Sequence, residues 1–251
     1  MGEVVQLAPA VMKRIGEVHE RYQSFNIEML EVTGGRFWKP YSSMGKAASS
    51  DGAAPGGEQG VPAGMDPNLY EYRAPINLTN LRLLAKALAP AFLRISGTWA
   101  NSTYFAEGDN PPAAPPPGFG SVLTQQQWQG AIDFSRAVEA PIVTSMAVSG
   151  GTRDADAVWQ PDAARRWLAF TKAHGGMVAA AEYFNEPTMA SLGGAPQLHR
   201  GGLWSRLQHF RNDAAPRVSG HCAAGSRLSG RGGCQLGGRA RRLWQLPDFE
   251  K

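Results

Sequence analysis

The feature that most constrains this chain is a repeated alternation of short strand-like runs with helix-patterned segments across residues 21–187. Residues 21–31 (RYQSFNIEMLE) alternate with a period of two: Tyr22, Ser24, Asn26 and Glu28 share one face, and Phe25, Ile27 and Met29 share the other. That period belongs to a strand. Residues 78–88 place Leu81, Leu84, Ala85 and Leu88 at helical spacing, with Asn77 or Thr79 as N-cap and Pro90 as the stop. A short buried strand follows at residues 91–96 and ends at Gly97. Residues 124–139 carry Thr124 as N-cap and Trp128, Ile132, Ser135 and Val138 along one side, which predicts a second helix. Residues 141–148 (PIVTSMAV) read as a third strand, Asp162–Ala173 as a third helix, and residues 176–184 (GMVAAAEYF) as a fourth strand running up to Asn185.

Strands and helices in that alternation predict a parallel sheet joined by crossover helices. The loops are long after strands and short after helices. Residues 33–73 have a Gly/Ala/Ser/Pro-rich centre, and residues 108–120 (GDNPPAAPPPGFG) exclude helix and central strand because proline fixes φ and removes a donor. That asymmetry favours a β/α barrel, whose site is built by the loops at the C-terminal ends of its strands. A doubly wound open sheet is the alternative. It usually carries a Gly-rich phosphate turn after its first strand, and none stands here.

Composition narrows the classes. With 43% hydrophobic and 18% charged residues in 251, the chain can bury a core. No run approaches the roughly 20 apolar residues of a membrane span. The N-terminal residues lack a basic start followed by an unbroken apolar core, so no signal peptide is expected, and a complete N-terminus would imply the cytoplasm. Cys222 and Cys234 have neither the number nor the spacing of a zinc site or disulfide framework, and the histidines form no metal-like spacing. No cofactor, metal, nucleic acid or membrane partner is implied, and the oligomeric state stays open.

Chemistry concentrates at the end of the fourth strand, in Asn185-Glu186-Pro187. Glycoside hydrolysis needs two carboxyl groups flanking the scissile bond, and barrel enzymes place such groups at strand C-termini. Glu186 fits the acid role, Asn185 can bond a sugar hydroxyl, and Pro187 turns the backbone away. Taken alone, the tripeptide recurs by chance, and a lone surface Glu is usually a solvated charge.

Three longer motifs add to it: YQSFNIEMLEVTGGRFW at residues 22–38, LRISGTWANSTYF at residues 93–105 and AAEYFNEP at residues 180–187. In that order they resemble the heparanase and β-glucuronidase family, glycoside hydrolase family 79, over roughly residues 15–196. The resemblance implies a retaining hydrolase of carbohydrate substrates on a (β/α)8 TIM barrel. Its acid/base Glu ends strand four, matching Glu186 beside Asn185, and its nucleophile Glu ends strand seven. No residue of this chain matches the nucleophile. Residues 1–196 thus read as the first half of a barrel, a catalytic domain truncated and inactive alone. A non-catalytic carbohydrate-binding or scaffold remnant of such an enzyme is the alternative.

Several residues carry two readings. Asn26 and Glu28 share a strand face that points either into the substrate cleft or into a polar cluster inside the barrel. Trp99, Asn101 and Tyr104 follow the second strand and either line a sugar site or pack the loop. Glu182 shares a face with Glu186 but lies deeper, so it needs a partner, for which Arg94 is placed. Trp128, Trp159 and Trp167 read as core.

Residues 197–251 differ in character, with ten Lys and Arg against three Asp and Glu and no clean period of 2 or 3.6. We read this tail as aberrant, a product of translation out of frame, since GC-rich coding sequence in a wrong frame yields Arg, Gly, Ala and Pro. A basic arm for nucleic acid or another polyanion is the competing reading.

Overall fold

The computed structural model describes residues 8–44 and 66–187, and the elements in chain order are as follows. Strand β1 (Phe25–Glu28) leads directly into α1 (Met29–Thr33), then β2 (Gly35–Trp38), β3 (Tyr70–Arg73) and α2 (Arg82–Lys86). After these come β4 (Leu93–Ser96), β5 (Thr103–Ala106), β6 (Ser121–Thr124), α3 (Gln125–Ala137), β7 (Ile142–Ser145), α4 (Asp162–Ala173) and β8 (Val178–Glu182). The centre of the 33–73 stretch, the two cysteines and the basic tail lie outside the described residues.

The fold is mixed α/β. Its main sheet has four parallel strands in the order β1-β4-β7-β8, so every neighbour in space is the next of these strands in sequence. Two small ladders accompany it: β2 with β3, antiparallel, and β5 with β6, parallel.

Alternation along the strands sorts the sheet into two faces. One carries Ile27, Leu93, Ile95 and Ile142, and these pack with Trp128, Ile132 and Phe134 of α3 and Trp167 and Leu168 of α4 into the principal core. Within it Trp128 is fully buried, packs its ring 4.7 Å from that of Trp167, and donates its indole N–H to Thr171 Oγ1 at 2.8 Å. Trp159 is buried too, its indole N–H on the Ala147 carbonyl at 2.9 Å. The other face carries Asn26 and Glu28 of β1, Arg94 and Ser96 of β4, Ser145 of β7 and Glu182 of β8.

Helix α3 starts where its capping box places it, with Gln127 N–H on Thr124 Oγ1 and Thr124 N–H on Gln127 Oε1. Helix α4 has the bounds read from the sequence. Two expectations need correction. The first strand stops at Glu28, not Glu31. There the Glu28 N–H finds the Glu31 carboxylate at 2.9 Å, and the chain turns into α1, whose Met29, Leu30 and Val32 are buried. The helix expected over residues 78–88 is shorter: a 3₁₀ turn at Leu78–Leu81, begun by Asn77 accepting from Thr79 N–H, runs into the five-residue α2. Of its apolar residues Ala85 is buried, whereas Leu84 and Leu88 are exposed.

Both small ladders fall in stretches read as loops. The prolines of residues 108–120 do stay irregular, but the residues flanking them pair as β5 and β6. A parallel pair requires a crossover of about a dozen residues or more, and this loop supplies it.

Candidate functional site

The polar face of the sheet gathers charged side chains around Arg94. Its Nε and Nη2 meet Glu182 Oε1 and Oε2 at 2.9 and 2.8 Å, a two-pronged pair in which both side chains are largely shielded from solvent. The remaining donors reach Asn26 Oδ1 at 2.8 Å and Asn185 Oδ1 at 2.9 Å. Ser96 adds a hydroxyl to Glu182 Oε2 at 3.2 Å and shares a 2.7 Å bond with Ser145 Oγ. The partner expected for Glu182 is thus in place. Asn26, one of the candidate substrate ligands, is tied to the same guanidinium.

Above this layer, just past the end of β8, stands Glu186. Its backbone takes φ of +51°, unusual for a residue with a Cβ. Its side chain is exposed, and Oε2 accepts from Thr98 Oγ1 at 3.0 Å and from Asn185 Nδ2 at 3.1 Å. Asn185 therefore links the two layers, its Oδ1 on Arg94 and its Nδ2 on Glu186.

Glu28 faces the same region from β1. It is half-buried, and its Oε2 has no hydrogen-bond partner among the described residues. Loss of water around it is the largest cause of a pKa pushed up from its ordinary 4.5 to about 7. The neighbouring carboxylates Glu31 and Glu186 push the same way, while Arg94 and a hydrogen bond from Asn26 oppose them. Gly97 makes room for this carboxyl: a Cβ there would sit 1.5 Å from Glu28 Oε2, and φ at Gly97 is +104°.

The 3₁₀ turn Thr98–Ser102 follows Gly97. Its Trp99 and Asn101 are buried, which fits the loop-packing reading of the two. Asn101 is only 1% exposed, and both ends of its side-chain amide are engaged: Nδ2 donates to the Asn185 carbonyl at 3.0 Å, and Oδ1 accepts from the Asn185 N–H at 2.9 Å. Trp99 is buried in a second cluster with Leu30 and Tyr70, its ring 5.2 Å from that of Phe37. Tyr104 lies on β5, its ring 5.2 Å from Phe119. Asn101 reaches the Glu186 region through the backbone of Asn185. Thr98, which bonds the Glu186 carboxylate beside Asn185, is not singled out by the sequence; its place just beyond the end of the second strand is the available signal.

Among the described residues no group of three or more His, Cys, Asp or Glu is arranged to hold a metal ion, and no helix is long and apolar enough to cross a membrane. Besides Glu182, which Arg94 pairs, the face and its rim offer two carboxyl groups of unlike character, Glu186 exposed and hydrogen-bonded and Glu28 half-buried with a raised pKa. Such a pair suits proton transfer to and from a bound polar ligand. No protein-family model matches the chain, and a search of curated proteins gave no match either.

Proposed function

We propose that this chain is part of a retaining glycoside hydrolase acting on β-glucuronides or related glycans, with Glu186 as the general acid/base. The observation that carries the reading is the setting of Glu186. It stands beyond the C-terminal end of the fourth of four parallel strands in unbroken order, its Oε2 held by Thr98 and Asn185. That order fits the first four strands of a (β/α)8 barrel, whereas a doubly wound sheet reverses direction at a switch point. The three sequence motifs that resemble glycoside hydrolase family 79 all contribute to this face: Asn26 and Glu28 from the first, Arg94, Ser96 and Thr98 from the second, Glu182 and Glu186 from the third.

In the reaction, both donors engage Oε2, which leaves Oε1 to carry the transferable proton. Glu186 gives that proton to the glycosidic oxygen as the bond to the anomeric carbon breaks. A carboxylate on the opposite side of the sugar bonds to that carbon, and Glu186 then takes a proton from the water that releases the sugar. Asn185, oriented by Arg94, holds the acid in place, and Glu28 and Asn26 lie where they can bond sugar hydroxyls. None of the described residues fills the nucleophile's role. Glu28 is held protonated towards neutral pH and is a poor nucleophile there.

That last observation favours a second reading, a carbohydrate-binding remnant that does not turn over. Incubation of the pure chain with p-nitrophenyl β-D-glucuronide separates the two. Release of nitrophenol that is abolished by Glu186→Gln supports the hydrolase as a working unit. Saturable binding without release, the outcome we expect of a chain whose described residues include no nucleophile, supports the carbohydrate-binding remnant. Absence of both removes the glucuronide reading.

A further inference from the structure

We propose that Asn101 is the positioning residue of the acid/base, a side-chain clasp on the Asn185 backbone that holds Glu186 in its left-handed conformation and aims its carboxylate at Thr98. The inference rests on the reading of Glu186 as acid/base for its catalytic meaning. Its structural content stands on the hydrogen bonds themselves.

A lone residue with φ near +51° relaxes to negative φ unless its neighbours hold it, because its Cβ crowds the backbone there. The restraint on the preceding residue is specific. The Asn101 amide presents one donor and one acceptor in a plane, and both meet the two polar backbone groups of the single residue Asn185. This reproduces, from a side chain, the pairing that a neighbouring strand would provide. Strand β8 has already ended at Glu182, so among the described residues no ladder partner holds Asn185.

The clasp is itself anchored. The Asn101 carbonyl accepts from the N–H groups of both Val148 and Ser149, at 2.8 and 3.0 Å, in the loop that follows β7. With 1% exposure, Asn101 has no water to exchange these bonds for, so losing one leaves a buried polar group unsatisfied. One turn therefore grips the acid/base at two points, Thr98 on its carboxylate and Asn101 on the backbone just before it. Loops after β4, β7 and β8 meet at a single residue, Asn101, through its carbonyl and its side chain, and geometric error in any of them would reach Glu186.

Asn101→Asp tests this without changing shape. At pH 8 the new carboxylate keeps an acceptor for the Asn185 N–H but opposes the Asn185 carbonyl. On acidification a buried carboxyl facing a carbonyl takes up a proton and regains the donor. Backbone NMR shifts of Asn185 and Glu186 report the conformation, and the dissociation constant for p-nitrophenyl β-D-glucuronide reports its use. At pH 8 the variant's Glu186 shifts are expected to leave the left-handed range and its affinity to fall about tenfold against wild type at the same pH. At pH 5 both differences should disappear. Shifts that match wild type at pH 8, or that stay altered at pH 5, overturn the clasp. If neither protein binds the glucuronide, the hydrolase reading fails, and the shifts alone still decide whether Asn101 holds the turn.

Discussion

The two faces of the main sheet are one residue apart in sequence and opposite in character. Ile27 and Ile95 enter a core closed by Trp128 and Trp167, while Asn26, Glu28, Arg94 and Ser96, interleaved with them, build a charged layer. The helix-packed face draws its stability from apolar area removed from water. The other face holds hydrogen-bonded charges whose desolvation roughly cancels their attraction, so it adds order more than stability. The contrast teaches that the same strands can make the fold with one set of side chains and leave the alternate set to chemistry.

Unfolding in urea is the way to break that comparison. Trp128→Ala should lose about 4 kcal/mol, since it empties a fully buried site and removes the indole's bond to Thr171 Oγ1, which keeps only its bond to the Trp167 carbonyl. Arg94→Met should lose less, about 2 kcal/mol, because it leaves Glu182 shielded without its cation while some solvent still reaches the pair. Equal losses, or a larger one for Arg94→Met, would mean that the charged layer stabilises the sheet as much as the core does.

A smaller effect, with a pH signature, sharpens the same contrast. Glu28 binds its proton more tightly folded than unfolded, so its contribution to stability is fully present below about pH 4.5 and is lost as pH rises through about 7. Glu28→Gln removes the ionisation. It should stabilise the protein by about 1 kcal/mol at pH 8, after allowance for the solvent that reaches the carboxyl, and by nothing at pH 4. A gain that does not change between those pH values would contradict the raised pKa.

Legibility in the sequence followed the range of the interactions. Helix α4 could be read to its terminal residues and α3 nearly so, because caps and amphipathic spacing are local signals. The pairing of Glu182 with Arg94 was readable from strand alternation. The β1-to-α1 switch was not, because the period-2 pattern of residues 22–29 runs past the point where Glu31 captures the Glu28 N–H. Strands β2, β3, β5 and β6 were hidden inside long polar loops, since their four-residue lengths become meaningful only through partners remote in sequence. The site divided the same way. Glu186 and Asn185 stood out as a motif, but Thr98 and Asn101, more than 80 positions earlier, acquire their roles only when the strand ends converge. Asn101 and Trp99 carried a sugar-site reading beside a packing one, because amides and indoles suit both, and their burial fits packing.

The central proposal is that a glucuronide sits on the polar face, with Glu186 at its rim. Calorimetric titration of the 251-residue chain with p-nitrophenyl β-D-glucuronide, in parallel with Glu28→Ala, tests it most directly. Saturable binding that weakens at least tenfold in the variant is the predicted result. Binding of equal strength in both proteins would place the ligand elsewhere and contradict the account.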